Sequence, residues 1–360
     1  FLFLANLQNI RRRIRSVKSI QKITNAMDMI ARSRFNAARD TLLSNIPYVD
    51  KTREIIRRIM TQMNVSESES PFITTRQGLI EAQSRTDGKF LFLVIAADKG
   101  LAGAYSSNVL KEAHETIEYD GTSPSDSAAA KEESFHKQNV AALRGGIDGE
   151  QLRAQKAAAK GGAKRTAANL SVAKEFKDAD FVDEIELITV GRKATSHFKQ
   201  RGYNIIKNYA GISERPNYHY AKEIADLIIE RFMSGEIIDV TMIYTRFNSA
   251  ISCTPEDVTL LPLVTDDFPS ETTAKEEYIY EPNVVSVLND FLPRRIATRI
   301  YGAMLHSAAA ELSSRMNAMS NATDNAQELV GKLNLYYNKV RQAGITNEIN
   351  EIVGGANALE

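Results

Sequence analysis

At 360 residues the chain is long enough for two or three domains, or for one domain carrying long extended elements. A hydrophobic share of 43% with 25% charged residues is ordinary for a soluble globular protein, and equal totals of 45 basic and 45 acidic side chains argue against a dedicated nucleic-acid binder. Cys253 is the only cysteine, which excludes an intramolecular disulfide and a cysteine-rich zinc site.

The charge is unevenly spread. Residues 1–39 carry nine basic side chains (Arg11, Arg12, Arg13, Arg15, Lys18, Lys22, Arg32, Arg34 and Arg39) against one acid, Asp28. The first residue is Phe1 and not methionine, so either a fragment or a chain stripped of a targeting segment is expected. The longest apolar run, Phe90 to Ala97, falls far short of the ~20 residues that span a bilayer.

In chain order, the first predicted element is a helix from about Leu4 to Met63. Leu7, Ile10, Ile14 and Val17 recur at three-four spacing, which sets one side chain per turn on a single stripe. The stripe resumes as Ile20, Ile23, Met27 and Ile30 after a step of three where four is due, a stammer that would overwind a supercoil locally. Pro47 removes a backbone donor and should kink or break this helix.

Alternating elements follow. Phe90 to Ala97, Glu184 to Val190 and Val240 to Phe247 read as buried strands. Helices are predicted at Ser106 to Glu118, Arg192 to Arg201 and His219 to Met233. Such alternation defines a small, Rossmann-like α/β domain with a mainly parallel sheet. The stretch from about Asp120 to Asp180 is rich in glycine, alanine and lysine and poor in aromatic and β-branched residues. It reads as an insertion inside that domain, partly helical or disordered.

The last element is a helix from about Pro282 to Leu359, with Pro293 inside it. Positions 305, 308, 312, 315, 319, 322, 326, 329, 333, 336, 340 and 343 alternate steps of three and four, and only Arg315 among them is polar. That regularity predicts a coiled-coil seam. At 1.5 Å per residue the helix would run roughly 110 Å, more than the width of the middle domain. The expected fold class is therefore α/β, with the chain termini forming a long antiparallel two-helix coiled coil. The expected parts are residues 1–63 and 282–360 as coiled-coil helices, and 64–281 as the α/β domain.

Recognisable catalytic chemistry is scarce. The phosphate-loop pattern G-x-x-x-x-G-K-S/T is missing; Gly161-Gly162-Ala163-Lys164-Arg165-Thr166 imitates it without the glycine before lysine and with no strand ahead of it. The five histidines (His114, His136, His197, His219, His306) show no metal-ligand spacing, so no metal and no cofactor is expected. The best local motif is Asp98-Lys99-Gly100-Leu101-Ala102-Gly103 after the first strand. Glycines there permit a tight turn, and this end of a strand is where open α/β sheets bind ligands. A purely structural turn that also packs against a partner is the competing reading.

The basic N-terminal segment fits a solvated face, phosphate contact, or docking on an acidic protein surface. Beyond Arg341 there is no lysine or arginine, although cations suit a helix C-terminus. Ile345, Ile349, Ile352 and Val353 stand there among glycines and alanines. Fraying or docking on its own domain is one reading, and a smooth tip inside an apolar sleeve of a partner is the other.

Three motifs in order carry a family resemblance. Residues Asn9 to Ala31 (NIRRRIRSVKSIQKITNAMDMIA) resemble the opening helix of the gamma subunits of F-type ATP synthases. The turn at Asp98 to Gly103 is similar to that family's D-R-G-L-C-G turn, with Ala102 in place of the usual cysteine. Glu311 to Asn325 (ELSSRMNAMSNATDN) and Leu335 to Ala358 resemble its C-terminal signature. The resemblance implies a rotating shaft inside a hexamer of alpha and beta subunits. It further implies a foot on the membrane c-ring beside an epsilon- or delta-type subunit, no catalysis by the chain itself, and a mitochondrial source with a bacterial one as alternative. Matched motif by motif, it implies partner contacts at Lys22, Met27 and Arg34 on the first helix and at Arg315, Arg341, Gln342 and Thr346 on the last. Arg315 has a second reading, as a residue at the core edge whose guanidinium escapes the seam. The insertion lacks the cysteine pair of chloroplast-type relatives, so no thiol switch of that kind is expected. A static coiled-coil scaffold and a ligand-binding α/β enzyme remain as the other function classes.

Overall fold

Two long helices carry the ends of the chain, and a mixed sheet lies between them in sequence. A computed structural model describes residues 2–62, 70–75, 78, 88–119, 185–264, 280–281 and 283–357. In order these hold α1 (Leu2–Gln62), β1 (Ile73–Thr74), β2 (Lys89–Ile95), α2 (Tyr105–Tyr119), β3 (Ile185–Val190), α3 (Arg192–Lys199), β4 (Asn204–Tyr209), α4 (Tyr218–Met233), β5 (Ile237–Phe247), β6 (Cys253–Leu261), β7 (Leu263–Val264) and α5 (Val284–Asn357). The predicted insertion and the Gly161 to Thr166 stretch fall outside the described residues. The chain divides into two compact units, Phe1–Arg34 with Arg315–Glu360, and Phe35–Ser314.

The larger unit is built on a five-stranded sheet of order β4-β3-β2-β5-β6, parallel except for β6. Side chains alternate across a strand, and β2 shows how that makes two cores. Leu91, Leu93 and Ile95 face α4 (Ile224, Ala225, Ile228), the end of α1 (Ile56, Ile59) and the start of α5 (Leu288, Leu292, Ile296, Ile300). Phe90, Phe92 and Val94 face α2 (Val109, Ala113, Ile117) and α3 (Ala194, Phe198). Both faces of the sheet's centre are covered, so β2, β3 and β5 read as apolar runs without alternation. The expected strands and helices are found within a few residues of their predicted limits. β4 and β6 were not foreseen, because each is a sheet edge and is written in polar residues. β6 even carries Pro255, which an edge strand tolerates.

Gly191 joins β3 to α3 with φ +94, a left-handed conformation that glycine adopts freely. A Cβ there would fall on the Ala96 carbonyl oxygen. Gly191→Ala is therefore expected to cost about 2–4 kcal/mol through combined strain and overlap. Chemical denaturation of the variant beside the parent chain checks this.

Pro47 does not break α1, which runs unbroken through it. Its ring sits on the exposed side of the helix, while Leu42, Ile46 and Ile56 are buried. The carbonyl left without a donor can thus take water, and the packed face holds the helix together.

The smaller unit corrects the predicted seam. On α1 the inward stripe is Leu7, Ile10, Ile14, Val17, Gln21, Thr24, Asp28 and Ala31, all buried or half-buried. Its steps alternate three and four without a slip, so no stammer exists. Ile20, Ile23 and Ile30 point outward, with exposures of 51%, 59% and 53%. On α5 the stripe after Met319 runs through Thr323, Ala326, Val330, Leu333, Tyr337, Val340 and Gly344. Ala322 is half-buried beside Thr323, but the expected Leu329, Tyr336 and Ala343 are exposed. Two successive steps of four, Arg315 to Met319 to Thr323, shift the register. Such a stutter locally unwinds a supercoil.

The reason for the error is chemical. Polar residues occupy part of the true seam, and two of them, Thr24 and Asp28, have hydrogen-bond partners on their own helix. Asp28 takes both of its oxygens to the Arg32 Nε one turn on, at 3.0 and 2.9 Å. A search for apolar periodicity follows the outward stripe instead, because that stripe keeps helical spacing too.

Candidate partner-binding surface

The turn after β2 is built around one carboxylate. Asp98 is only 8% exposed. Its Oδ1 accepts from the Gly211 N–H (2.8 Å) and the Arg192 N–H (3.1 Å), and its Oδ2 from the Ser213 N–H (3.1 Å). The Asp98 N–H in turn donates to Ser213 Oγ at 3.1 Å. One side chain thus ties the ends of β2, β3 and β4 together and caps the N-terminus of α3. Burial pushes the carboxyl pKa up, but the backbone donors of Gly211, Ser213 and Arg192 outweigh burial and hold it below the usual value.

At this end of the sheet a phosphate would look for backbone N–H groups at a helix N-terminus. Here an internal carboxylate already holds them. Lys99 pairs with Glu214 at 3.2 Å, and Gly103 takes φ 56, the left-handed conformation that admits glycine. The turn displays Leu101 at φ 63 and 61% exposure, next to the exposed Gly100. Of the two readings of this motif, the structural turn with an outward leucine is the one the geometry supports.

A depressed carboxylate pKa stabilises the fold fully above the unfolded value of about 3.9, and the contribution is lost as pH falls through the lowered folded value. Acid unfolding below about pH 4 should therefore lose part of its steepness in Asp98→Asn. Denaturant melts between pH 2 and 6 check it.

Cys253 lies partly buried beside Ser313, and burial pushes its thiol up to about 12 despite the Ser313 hydrogen bond. A thiol of that kind stays protonated near neutrality and reacts poorly.

The exposed apolar residues are concentrated in the smaller unit. Of seventeen large apolar side chains exposed among the described residues, eleven belong to it, although it is much the smaller part of the chain. They form stripes at helical spacing. On α1, Ile20, Ile23, Met27, Ile30 and Arg34 follow steps of three and four, with Met27 half-buried and the others exposed. On α5, Gln342, Ile345, Ile349 and Ile352 do the same, all exposed. Scattered exposed leucines need no explanation, but aligned ones mark an interaction surface.

The residues that the family resemblance singled out sort against these stripes. Arg34 and Gln342 stand on them, Met27 at the inner margin of one, and Arg341 and Thr346 flank the second. Thr346 Oγ1 donates back to the Gln342 carbonyl at 3.0 Å. Lys22 is exposed on another side of α1, near Met29. Arg315 is 6% exposed and does not belong to the outward set. Sequence reasoning missed the outward stripes as stripes. The available signal was Gln21, Thr24 and Asp28 recurring at seam spacing between the apolar residues.

Paired long helices with an outward apolar face, together with an α/β domain whose ligand end is filled by its own carboxylate, define a paired-helix protein with a candidate partner-binding surface. The sequence profile of the ATP synthase family matches residues 6–136 and 163–359. The ATP synthase gamma chain of Pelotomaculum thermopropionicum is 34% identical over 358 residues, covering 99% of this chain and 100% of that one. The gamma chain of Halothermothrix orenii is 33% identical over 361 residues, with 99% and 100% covered. The chain belongs to the ATP synthase gamma-chain family, whose members are subunits of a multisubunit ATPase/synthase. Among solved structures, a chain of the Euglena gracilis mitochondrial ATP synthase OSCP/F1/c-ring assembly superposes with a TM-score of 0.56 at 15% identity, over 99% of this chain and 95% of that one. A chain of the rotor of the same enzyme gives 0.52 at 14% identity, over 95% and 99%. At those identities the likeness shows the fold. The relatives of higher identity are bacterial, so the expected mitochondrial source has no support. The profile leaves 137–162 unmatched, within the stretch whose composition sets it apart. No described helix is long and apolar enough to cross a membrane.

Proposed function

We propose that the chain is the central rotor shaft of a proton-translocating ATP synthase, carrying torque between a membrane c-ring and a catalytic hexamer of alpha and beta subunits. The observation that carries this reading is the outward apolar surface of the smaller unit. In water it would be costly to leave exposed, at ~25 cal/mol per Å², and a sleeve of partner subunits covers it. The α/β domain serves as the foot on the c-ring, beside an epsilon- or delta-type subunit. The bacterial relatives support a bacterial cytoplasmic membrane as the site of the assembly, with this subunit peripheral to it.

The shaft acts by differential contact. A ligand or partner shifts a conformational equilibrium only by the difference in its affinity for the two states. An asymmetric pair of helices, with a charged fork on one side and apolar surface on another, offers each beta subunit a different contact at each angle. Turning it carries every beta subunit through its states in sequence.

The chain itself performs no catalysis in this reading, and nucleotide chemistry belongs to the hexamer. The isolated, highly purified chain is expected to show no ATP hydrolysis above background. Turnover abolished by Lys164→Ala would place a nucleotide site in this chain and favour the enzyme reading. Purification from native membranes separates the remaining class, since a rotor co-purifies with a nucleotide-hydrolysing hexamer and a lipid-embedded ring.

A further inference from the structure

Side-chain hydrogen bonds cross the seam between the two helices of the smaller unit. Thr323 Oγ1 lies 2.8 Å from Thr24 Oγ1. Each hydroxyl also reaches a carbonyl on its own helix, Thr24 to Gln21 O at 3.1 Å and Thr323 to Met319 O at 2.9 Å. Either threonine can donate across the seam while its partner's proton goes to its own carbonyl. Farther along, Arg11 Nη2 donates to Tyr337 Oη at 2.7 Å. The two contacts lie about 20 Å apart along each helix at 1.5 Å per residue, and both fit one antiparallel register.

The layers toward the N-terminus of α1 supply no such hydroxyl pair. Ile10, Ile14 and Val17 on α1, and Val330, Leu333, Tyr337 and Val340 on α5, are apolar layers at alternating steps of three and four. In the register set by Thr24 and Thr323, Ile14 faces Leu333 and Val17 faces Val330; a slide of seven residues would set Ile14 against Val340 and Val17 against Tyr337, still apolar on apolar. It would set Thr24 against Val330 and Thr323 against Ala31, and the hydroxyl pair would be lost. Polar groups placed singly in a helical seam fix register in this way, at some cost in stability.

We propose that the Thr24–Thr323 hydroxyl pair, seconded by Arg11–Tyr337, is the register pin of the helix pair and stops it from sliding by a heptad. A shaft that carries torque needs such a pin, because axial slip between its two strands would absorb rotation that should reach the far end. The pin lies wholly within this chain, so the helices find their register without a partner.

The test uses the full chain in a Cys253→Ser background, with spin labels at residues 12 and 347, both exposed, and pulsed dipolar distance measurement. The parent and the conservative Thr24→Ser, Thr323→Ser variant should each give one narrow distance. The isosteric Thr24→Val, Thr323→Val variant should keep its helix content by circular dichroism. It should add a second distance, displaced by about 10 Å along the axis, with a population raised roughly tenfold over the parent. A single unchanged distance in the valine variant overturns the proposal. So does a parent that already shows both registers, or a valine variant with no defined distance, since the hydroxyls would then govern pairing itself and not its register.

Discussion

Replacing Arg341 and Gln342 together by alanine is expected to leave the complex assembled and to cut its rate of ATP synthesis several-fold. Both side chains are exposed in this chain, and Arg341 is the last basic residue, followed only by the acids Glu348, Glu351 and Glu360 among charged residues. Arginine presents a planar fork of donors that can hold a carboxylate in two bonds. Placed off the helix axis, that fork can grip a loop of one beta subunit and release it to the next. A hydrogen bond to a charged group contributes ~1.5–3 kcal/mol, enough to bias one beta conformation over another. Neither side chain lies on the inward stripe, so the helix pair should fold as before. Removing residues 355–360 should do less harm, because apolar contact guides the shaft without gripping it. Synthesis rates of reconstituted vesicles carrying each variant check the pair of outcomes. A double variant at the parent rate, beside a truncation that stops synthesis, would place the grip in the wrong segment.

Asp98→Ala is expected to be among the most destabilising single substitutions in the α/β domain, at about 3–5 kcal/mol. The carboxylate takes three backbone N–H groups from two separate segments. Its removal strands the buried Ser213 donor and takes the partner from the part-buried donors of Gly211 and Arg192. Asparagine should recover part of the loss, since its amide oxygen still accepts, but its NH2 group would meet N–H donors. The order parent, Asn, Ala in denaturation midpoints is the expected result. An alanine variant within 1 kcal/mol of the parent would mean that the turn closes without its carboxylate.

Much of this architecture was legible because burial on both faces leaves a mark. β2, β3 and β5 read as apolar runs, and the helices between them have clear limits, such as the Asn217 side chain that caps α4. The edges were not legible. β4 carries Asn204, Lys207 and Asn208, and β6 carries Pro255, Glu256 and Asp257, so neither shows a core strand's signature. Pro47 was misjudged because a proline rule knows the backbone and not the side of the helix it faces. The seam was misjudged for a deeper reason. Periodicity reports that a face is apolar, not what covers it. In a helix that packs on its own chain along one side and on another protein along the next, the two stripes compete. Ile20 and Ile23 won that contest in the sequence and lost it in the structure. Apolar residues displaced from a seam by Gln21, Thr24 and Asp28 mark the candidate partner-binding surface.

The central claim is that this chain turns, and single-molecule rotation tests it most directly. The hexamer is fixed to a surface through its beta subunits, and a gold rod is attached to the α/β domain of this chain. On adding ATP, the account predicts continuous rotation in one direction, with pauses at three angles set by the three beta subunits. Complexes that hydrolyse ATP at full rate while the rod stays still would show a static scaffold, and would contradict the account.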